Sequence, residues 1–319
     1  MKSLGPTFRV AAAGTVLCLT LGLTSAAGAT PPGDRTSVRP TPGYWLVGAD
    51  GGVFAFDAPF HGSGTAAASP LGACGFVPAP PSWAADGCVG IAAVPNGLGY
   101  WLVNTARGAL PYGQAGPLPP PSTCSTLNDP GLRVPGFFTG MASSNSGAGY
   151  WEVTGLGYVY ACGDVQQPLG GSTSVRVGAE VVGIAATTDG KGYWLVSSDG
   201  GVFAFGDALF AGSMGGKPLH APIVGIAPTP DGNGYWLAAA DGGVFSFGDA
   251  AFAGSMGSKS LNAPVVGIAS TPDGAGYWLA AADGGVFSFG TAPFDGSMSG
   301  KPLARPVVGI APYQGSGSG

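Results

Sequence analysis

Along much of the chain the apolar residues come in short runs broken by Gly, Asp and Pro. In the clearest stretch, 223–256, an apolar run at 223–227 is followed by Thr-Pro-Asp-Gly and a second run at 235–239. Asp241-Gly242-Gly243 then leads to a third run at 244–247, and Gly248-Asp249 to a fourth at 250–255. Runs this short suit strands better than helices, and Asp-Gly or Gly-Gly between them favours hairpin turns, which need positive φ. The pattern predicts a four-stranded antiparallel meander.

The meander recurs. Gly-Tyr-Trp appears six times, with Trp at 45, 101, 151, 194, 236 and 278. The spacings are 56, 50, 43, 42 and 42, so the period is 42 and the first two intervals carry insertions. Val-Gly-Ile-Ala starts at 89, 182, 224, 266 and 308, with Thr-Gly-Met-Ala at 139. Four strands on a period of about 40 to 45 residues are the signature of a propeller blade. The first Gly-Tyr-Trp lacks a preceding Val-Gly-Ile-Ala, and the last Val-Gly-Ile-Ala lacks a following Gly-Tyr-Trp. The reading is therefore an all-β, six-bladed β-propeller over residues 41–313, with four antiparallel strands per blade. Its C-terminal strand would pair with the first blade and close the ring as 1+3 strands. A seventh blade, supplied by the degraded region of blades two and three, is the alternative.

Blades stacked face to face bury their middle strands on both sides. In Tyr235-Trp236-Leu237, Tyr and Trp should thus point to opposite neighbouring blades. The Gly and Ala of Val-Gly-Ile-Ala suit an inner strand crowded near the axis. Blades two and three are degraded. Arg107-Gly108-Ala109-Leu110-Pro111 and Gly157-Tyr158-Val159-Tyr160 stand where other units read Asp-Gly-Gly-Val-Phe, and Cys162 replaces Phe205, Phe247 and Phe289. Pro111 demotes its strand to an edge or bulge, and the Pro-rich insertions at 78–81 and 117–121 extend loops.

Lys2 and Arg9 precede an uncharged stretch ending in Ala27-Gly28-Ala29, the three-part pattern of a signal peptide at 1–29. A membrane anchor is the weaker alternative, because the end of the stretch is small and polar. Residues 30–40 form a Pro-rich linker and 314–319 a flexible tail. In an exported chain, Cys74, Cys88, Cys124 and Cys162 read as two disulfides. The shortest loops favour Cys74 with Cys88 and Cys124 with Cys162.

Gly and Pro make up about 28% of the 319 residues, which without a period would suggest disorder. Hydrophobic residues at 45% and charged residues at 9% argue the opposite. Without the N-terminal segment 10 basic residues face 17 acidic ones, so the basic footprint of nucleic-acid binding is missing. Two His (His61, His220) and two Glu (Glu152, Glu180) leave little for His catalysis, His-rich metal sites or paired-glutamate glycosidase chemistry.

The units Gly-Tyr-Trp-Leu, Asp-Gly-Gly-Val-Phe-Ser-Phe-Gly-Asp-Ala and Phe-Ala-Gly-Ser resemble a repeat of secreted and cell-surface proteins of high-GC bacteria. In some of those it is similar to modules attached to wall-active hydrolases. A more distant likeness is to the regulator of chromosome condensation repeat, which shares the Gly-Val-aromatic-x-aromatic-Gly turn. That resemblance implies a propeller, but a chromosome-binding role does not suit an exported acidic chain.

Candidate sites lie on the loops. Asp50, Asp199, Asp241 and Asp283 share one face with Lys217, Lys259, Lys301, His220 and Arg305, while Asp189, Asp231 and Asp273 lie on the other. The first seven of these, four Asp and three Lys, form the candidate ligand ring; the competing reading of each Asp is local turn chemistry. One Asp per turn falls short of a calcium loop, so no metal or other cofactor is expected. Tyr-Trp pairs suit sugar stacking, but core packing is the stronger reading. His61 is expected to be solvated, and Ser63, Ser213, Ser255 and Ser297 lack a nucleophile-elbow context. The resulting expectation is an exported, non-enzymatic, monomeric propeller that binds cell-wall glycan or an extracellular protein, with neither nucleic-acid binding nor stable membrane insertion. The rivals are a hydrolase or lyase with an Asp-lined channel mouth, and a surface scaffold.

Overall fold

A computed structural model describes residues 42–65, 87–104, 108–116, 136–165, 168–171 and 177–315. The segments 1–29, 30–40 and 316–319, both Pro-rich insertions, Arg107, Cys74 and Cys124 lie outside these residues. The described chain begins with β1 (Gly43–Gly48) and β2 (Val53–Phe56), then runs through β3 (Cys88–Ala93), β4 (Gly99–Asn104) and β5 (Gly108–Gly113). Next come β6 (Phe138–Ser143), β7 (Tyr150–Thr154), β8 (Val159–Cys162), β9 (Val181–Ala186), β10 (Gly192–Ser197) and β11 (Val202–Gly206). The last are β12 (Ile223–Pro228), β13 (Gly234–Ala239), β14 (Val244–Gly248), β15 (Val265–Ser270), β16 (Gly276–Ala281), β17 (Val286–Gly290) and β18 (Val307–Tyr313).

These 18 strands form six antiparallel sheets of three. Five are consecutive triplets. The remaining sheet has the order β18-β1-β2, with Trp45 opposite Ala311 and Leu46 opposite Ile310. The complementary chain ends thus pair as the sequence predicts. First strands neighbour one another in the order β3, β6, β9, β12, β15, β18 and back to β3.

The expected fourth strand is not formed. Residues 250–255 carry no ladder; side chains from two sheets take their backbone groups. Trp236 Nε1 donates to Ala251 O at 2.9 Å. Tyr277 Oη of the next sheet donates to Gly254 O at 2.5 Å and accepts from Ala253 N at 3.2 Å. Trp45, Trp194 and Trp278 make the same bond within their own units, to Pro59, Leu209 and Pro293. Tyr44, Tyr100, Tyr193 and Tyr235 reach Gly296, Gly62, Gly170 and Gly212 of the preceding connector. A connector bonded to two sheets at once has no free edge on which to lay a ladder.

The core lies between sheets. Trp45 and Val47 of one sheet pack on Tyr100 and Leu102 of the next. The pattern continues around the set to Trp278 and Ala280 against Tyr44 and Leu46. All six Trp–Tyr pairs have ring centroids 4.9 to 5.9 Å apart, a separation at which aromatic pairs add about 0.5–1.5 kcal/mol beyond burial. Tyr and Trp do point to opposite neighbours, and the core reading of these pairs holds: no repeat Trp is more than 2% exposed.

The Gly of Val-Gly-Ile-Ala serves two needs. Register slips beside it in every pairing of first and second strands, as at Ile223/Gly225 and Phe138/Gly140, so that Val224 or Thr139 is left over as a β-bulge. A Cβ on Gly140 would come within 3.2 Å of Gly183 Cα, and one on Gly309 within 3.3 Å of Gly90 Cα. Adjacent first strands therefore meet backbone to backbone. In the second unit Ala109 rather than Leu110 occupies the Val place, since Val103 pairs with Ala109 as Val196 does with Val202. The turn alignment expected there is corrected by one residue. Pro111 sits on the edge strand β5 opposite Trp101, where its missing N–H faces away from the ladder.

Candidate functional site

Two ends of the strands carry the loops. At the end where first strands turn into second strands, a cavity of about 380 Å³ is lined by residues of all six sheets, including Val94, Met141, Thr187, Thr229, Thr271 and Gln314. Its wall is neutral. The Asp residues near it are held to the turns. Thr229 Oγ1 donates to Asp231 Oδ1 at 2.8 Å and is 3.1 Å from Asp249 Oδ1, and Asn233 caps Asp231 at 2.9 Å. Those bonds, led by Thr229, hold Asp231 down at about 2. Lys191 holds the Asp189 carboxyl well below the usual carboxylate range through the one ion pair among the described residues, at 2.9 Å.

At the opposite end each predicted Asp closes its own turn. Asp50, Asp199, Asp241 and Asp283 accept from Gly52, Gly201, Gly243 and Gly285 N at 2.9 to 3.0 Å. The Ser197 hydroxyl adds a bond of 2.5 Å to Asp199 and lowers its pKa. These are Asx turns, the local chemistry weighed against a ligand role. The four carboxylates stand on four different sheets. Lys217 Nζ donates to its own connector, at Ser213 O, 2.9 Å away; Lys217, Lys259, Lys301 and His220 are exposed, as is Arg305. Sheet β6-β7-β8 carries Leu156, 56% exposed, in place of the turn Asp.

One of these Asp residues lines a cleft. A cavity of about 210 Å³ lies between the connector that precedes β15 and the turn that follows β16. Asn262, Ser260, Asp283, Phe287, Phe294 and Ser297 contribute to its wall. It therefore combines an aromatic face with hydroxyl, amide and carboxylate groups, the mixed lining that fixes small polar ligands. Among the described residues no group of three or more His, Cys, Asp or Glu side chains gathers as a metal site would require.

Several features escaped the sequence reading. His61 is not solvated as expected. Its Nε2 is buried without a hydrogen-bond partner, and its ring lies 6.2 Å from Trp45 and 5.7 Å from Tyr100. Asp295, in the equivalent place between the sheets of β17 and β1, is pushed up by burial and then by the charge of Asp57. Glu152 replaces the Leu of Gly-Tyr-Trp-Leu and is 0% exposed, with neither carboxylate oxygen hydrogen-bonded. Phe60, Phe210, Phe252 and Phe294 are 57 to 61% exposed; only their 42-residue recurrence after position 210 marks them in the sequence, where they read as strand residues. No helix among the described residues is long and apolar enough to cross a membrane. Comparison of the chain with protein-family models and with curated proteins gives no match.

Proposed function

We propose that this chain is an exported, non-enzymatic, six-bladed β-propeller that recognises a cell-wall glycan through the loop end bearing Asp50, Asp199, Asp241 and Asp283. The propeller reading is supported by the cyclic order of first strands, by six Trp–Tyr seams and by the pairing of β18 with β1. The glycan reading rests on one observation above the rest, the cleft at Asp283, whose aromatic wall and uncharged hydrogen-bonding groups match a sugar's mixture of C–H faces and hydroxyls. Export is consistent with residues 1–29 and with the resemblance to cell-surface repeats. Two disulfides, Cys74 with Cys88 and Cys124 with Cys162, belong to the same proposal. The half-cystine state of Cys88 and Cys162 supports disulfide bonding, and the short loops favour this pairing.

The test is co-sedimentation of the secreted protein with purified cell walls and with cellulose, chitin and β-1,3-glucan. Enrichment on one of them, reduced by Asp283→Ala combined with Asp241→Ala, is the expected result. An extracellular protein partner gains ground if no polysaccharide retains the protein.

A further inference from the structure

We infer that Phe60, Phe210, Phe252 and Phe294 are sugar-stacking platforms, one on each of four connectors, so that a polysaccharide is held at several equivalent subsites rather than in one cleft. The inference rests on the glycan reading and deepens it. The four rings are 57 to 61% exposed, so packing does not require them. Yet the same residue recurs there while its neighbours vary. The residue before it is Pro59, Leu209, Ala251 or Pro293, and the one after it His61, Ala211, Ala253 or Asp295. A large apolar side chain kept in solvent between variable neighbours has a use other than the core.

The backbone beneath each ring is held on both sides. In all four units the preceding carbonyl accepts from the Trp Nε1 of its own sheet at 2.6 to 2.9 Å. The carbonyl two residues after the ring accepts from the Tyr hydroxyl of the next sheet at 2.5 to 2.6 Å. Both donors are buried aromatics of the intersheet core. The ring is exposed but its position is set in advance, which lowers the ordering cost of binding. Phe294 shows what surrounds such a ring, because it borders the cleft with Asp283, Ser297 and Asn262.

The arrangement also selects the ligand class. Each ring stands on a different connector, held by a different repeat Trp, whereas a protein interface is built round one contiguous apolar patch. A chain of repeating sugar units offers separate stacking faces and gains from several weak contacts at once. Sheet β6-β7-β8 has Pro168 at the corresponding place, and the counterpart in sheet β3-β4-β5 lies outside the described residues.

The experiment compares the wild type with Phe210→Ala/Phe252→Ala/Phe294→Ala and with the Phe→Tyr triple variant. Each is sedimented with whichever polysaccharide from the cell-wall, cellulose, chitin and β-1,3-glucan set retains the wild type, and with phosphatidylcholine/phosphatidylglycerol vesicles. The expected result is apparent affinity at least about tenfold weaker for the Ala triple, as loss of multivalent contacts implies. The Tyr triple retains binding, and all three proteins melt at one temperature. Equal retention of wild type and Ala triple overturns the platform assignment while leaving the glycan reading intact. Failure of the wild type to bind any polysaccharide overturns both, and Phe-dependent binding to vesicles alone replaces sugar by lipid.

Discussion

Glu152 is the residue most at odds with its surroundings. It occupies the place of Leu46, Leu102, Leu195, Leu237 and Leu279, and its neighbour Tyr150 packs against Trp101 of the adjacent sheet. Burial raises its carboxyl from 4.5 to about 8. At neutral pH the folded protein therefore keeps it protonated, whereas the unfolded chain ionises it near 4.5. Between those values the unfolded state binds fewer protons, so stability falls as pH rises. The contribution is fully present below 4.5 and is lost by about pH 8. Restoring the repeat residue with Glu152→Leu should stabilise the protein by roughly 3 kcal/mol at pH 7. Urea midpoints of the two proteins should converge at pH 4 and separate as pH rises; parallel curves would contradict the buried-acid account. Asp57 makes a related point about backbone. It has φ 44° where Gly206, Gly248 and Gly290 have φ 64° to 69°, a conformation unfavourable for a side chain with Cβ.

At the scale of elements, the segment read as a fourth strand is a connector latched to two sheets. Tyr277→Phe removes its hydroxyl latch while keeping the ring, and should cost about 1 kcal/mol. Hydrogen exchange gives a sharper test. The Ala253 amide, which donates to Tyr277 Oη, should exchange faster in this variant, while amides of the β15–β16 ladder keep their protection. Trp236→Ala removes both a latch and a core ring, and should cost about 3–5 kcal/mol by chemical denaturation. The apolar run at 250–255 satisfied the strand pattern because hydrophobic periodicity registers burial, not the partner of each N–H. Ladder pairing in the other three runs was legible because Gly and Asp turns of fixed spacing set their register. Asp50, Asp199, Asp241 and Asp283 were located correctly at turns, but which of them borders a cleft depends on the connector packed beside it.

At the scale of the whole molecule, β18 supplies the missing first strand of the sheet containing β1. A chain ending at Arg305 would leave β1 with an open edge and expose part of the seam around Trp45 and Leu46. It should aggregate on size-exclusion chromatography and lose its single cooperative unfolding transition. A synthetic 306–315 peptide added in trans should recover part of the folded fraction through strand addition. Stability should also be uneven around the molecule. Trp101 and Trp151 lack the indole latch made by the other four repeat Trp residues, and both belong to the degraded units beside the cysteines. Reducing the proposed disulfides should therefore lower stability by about 2–4 kcal/mol, read as a drop in the urea midpoint with dithiothreitol. The amino-acid sequence by itself determined the repeat, the three laddered strands of each unit, the opposite facing of Tyr and Trp, and the pairing of the two chain ends. These follow from local turn geometry within a unit and from a 42-residue periodicity that comparison of the units displays. Only the tertiary structure decided that the fourth run is a connector, that Glu152 is trapped without a partner, and that four Phe rings stand in solvent on fixed backbone. Each of these depends on what the neighbouring sheet presents across a seam, and residues that meet there are a whole repeat apart in the chain.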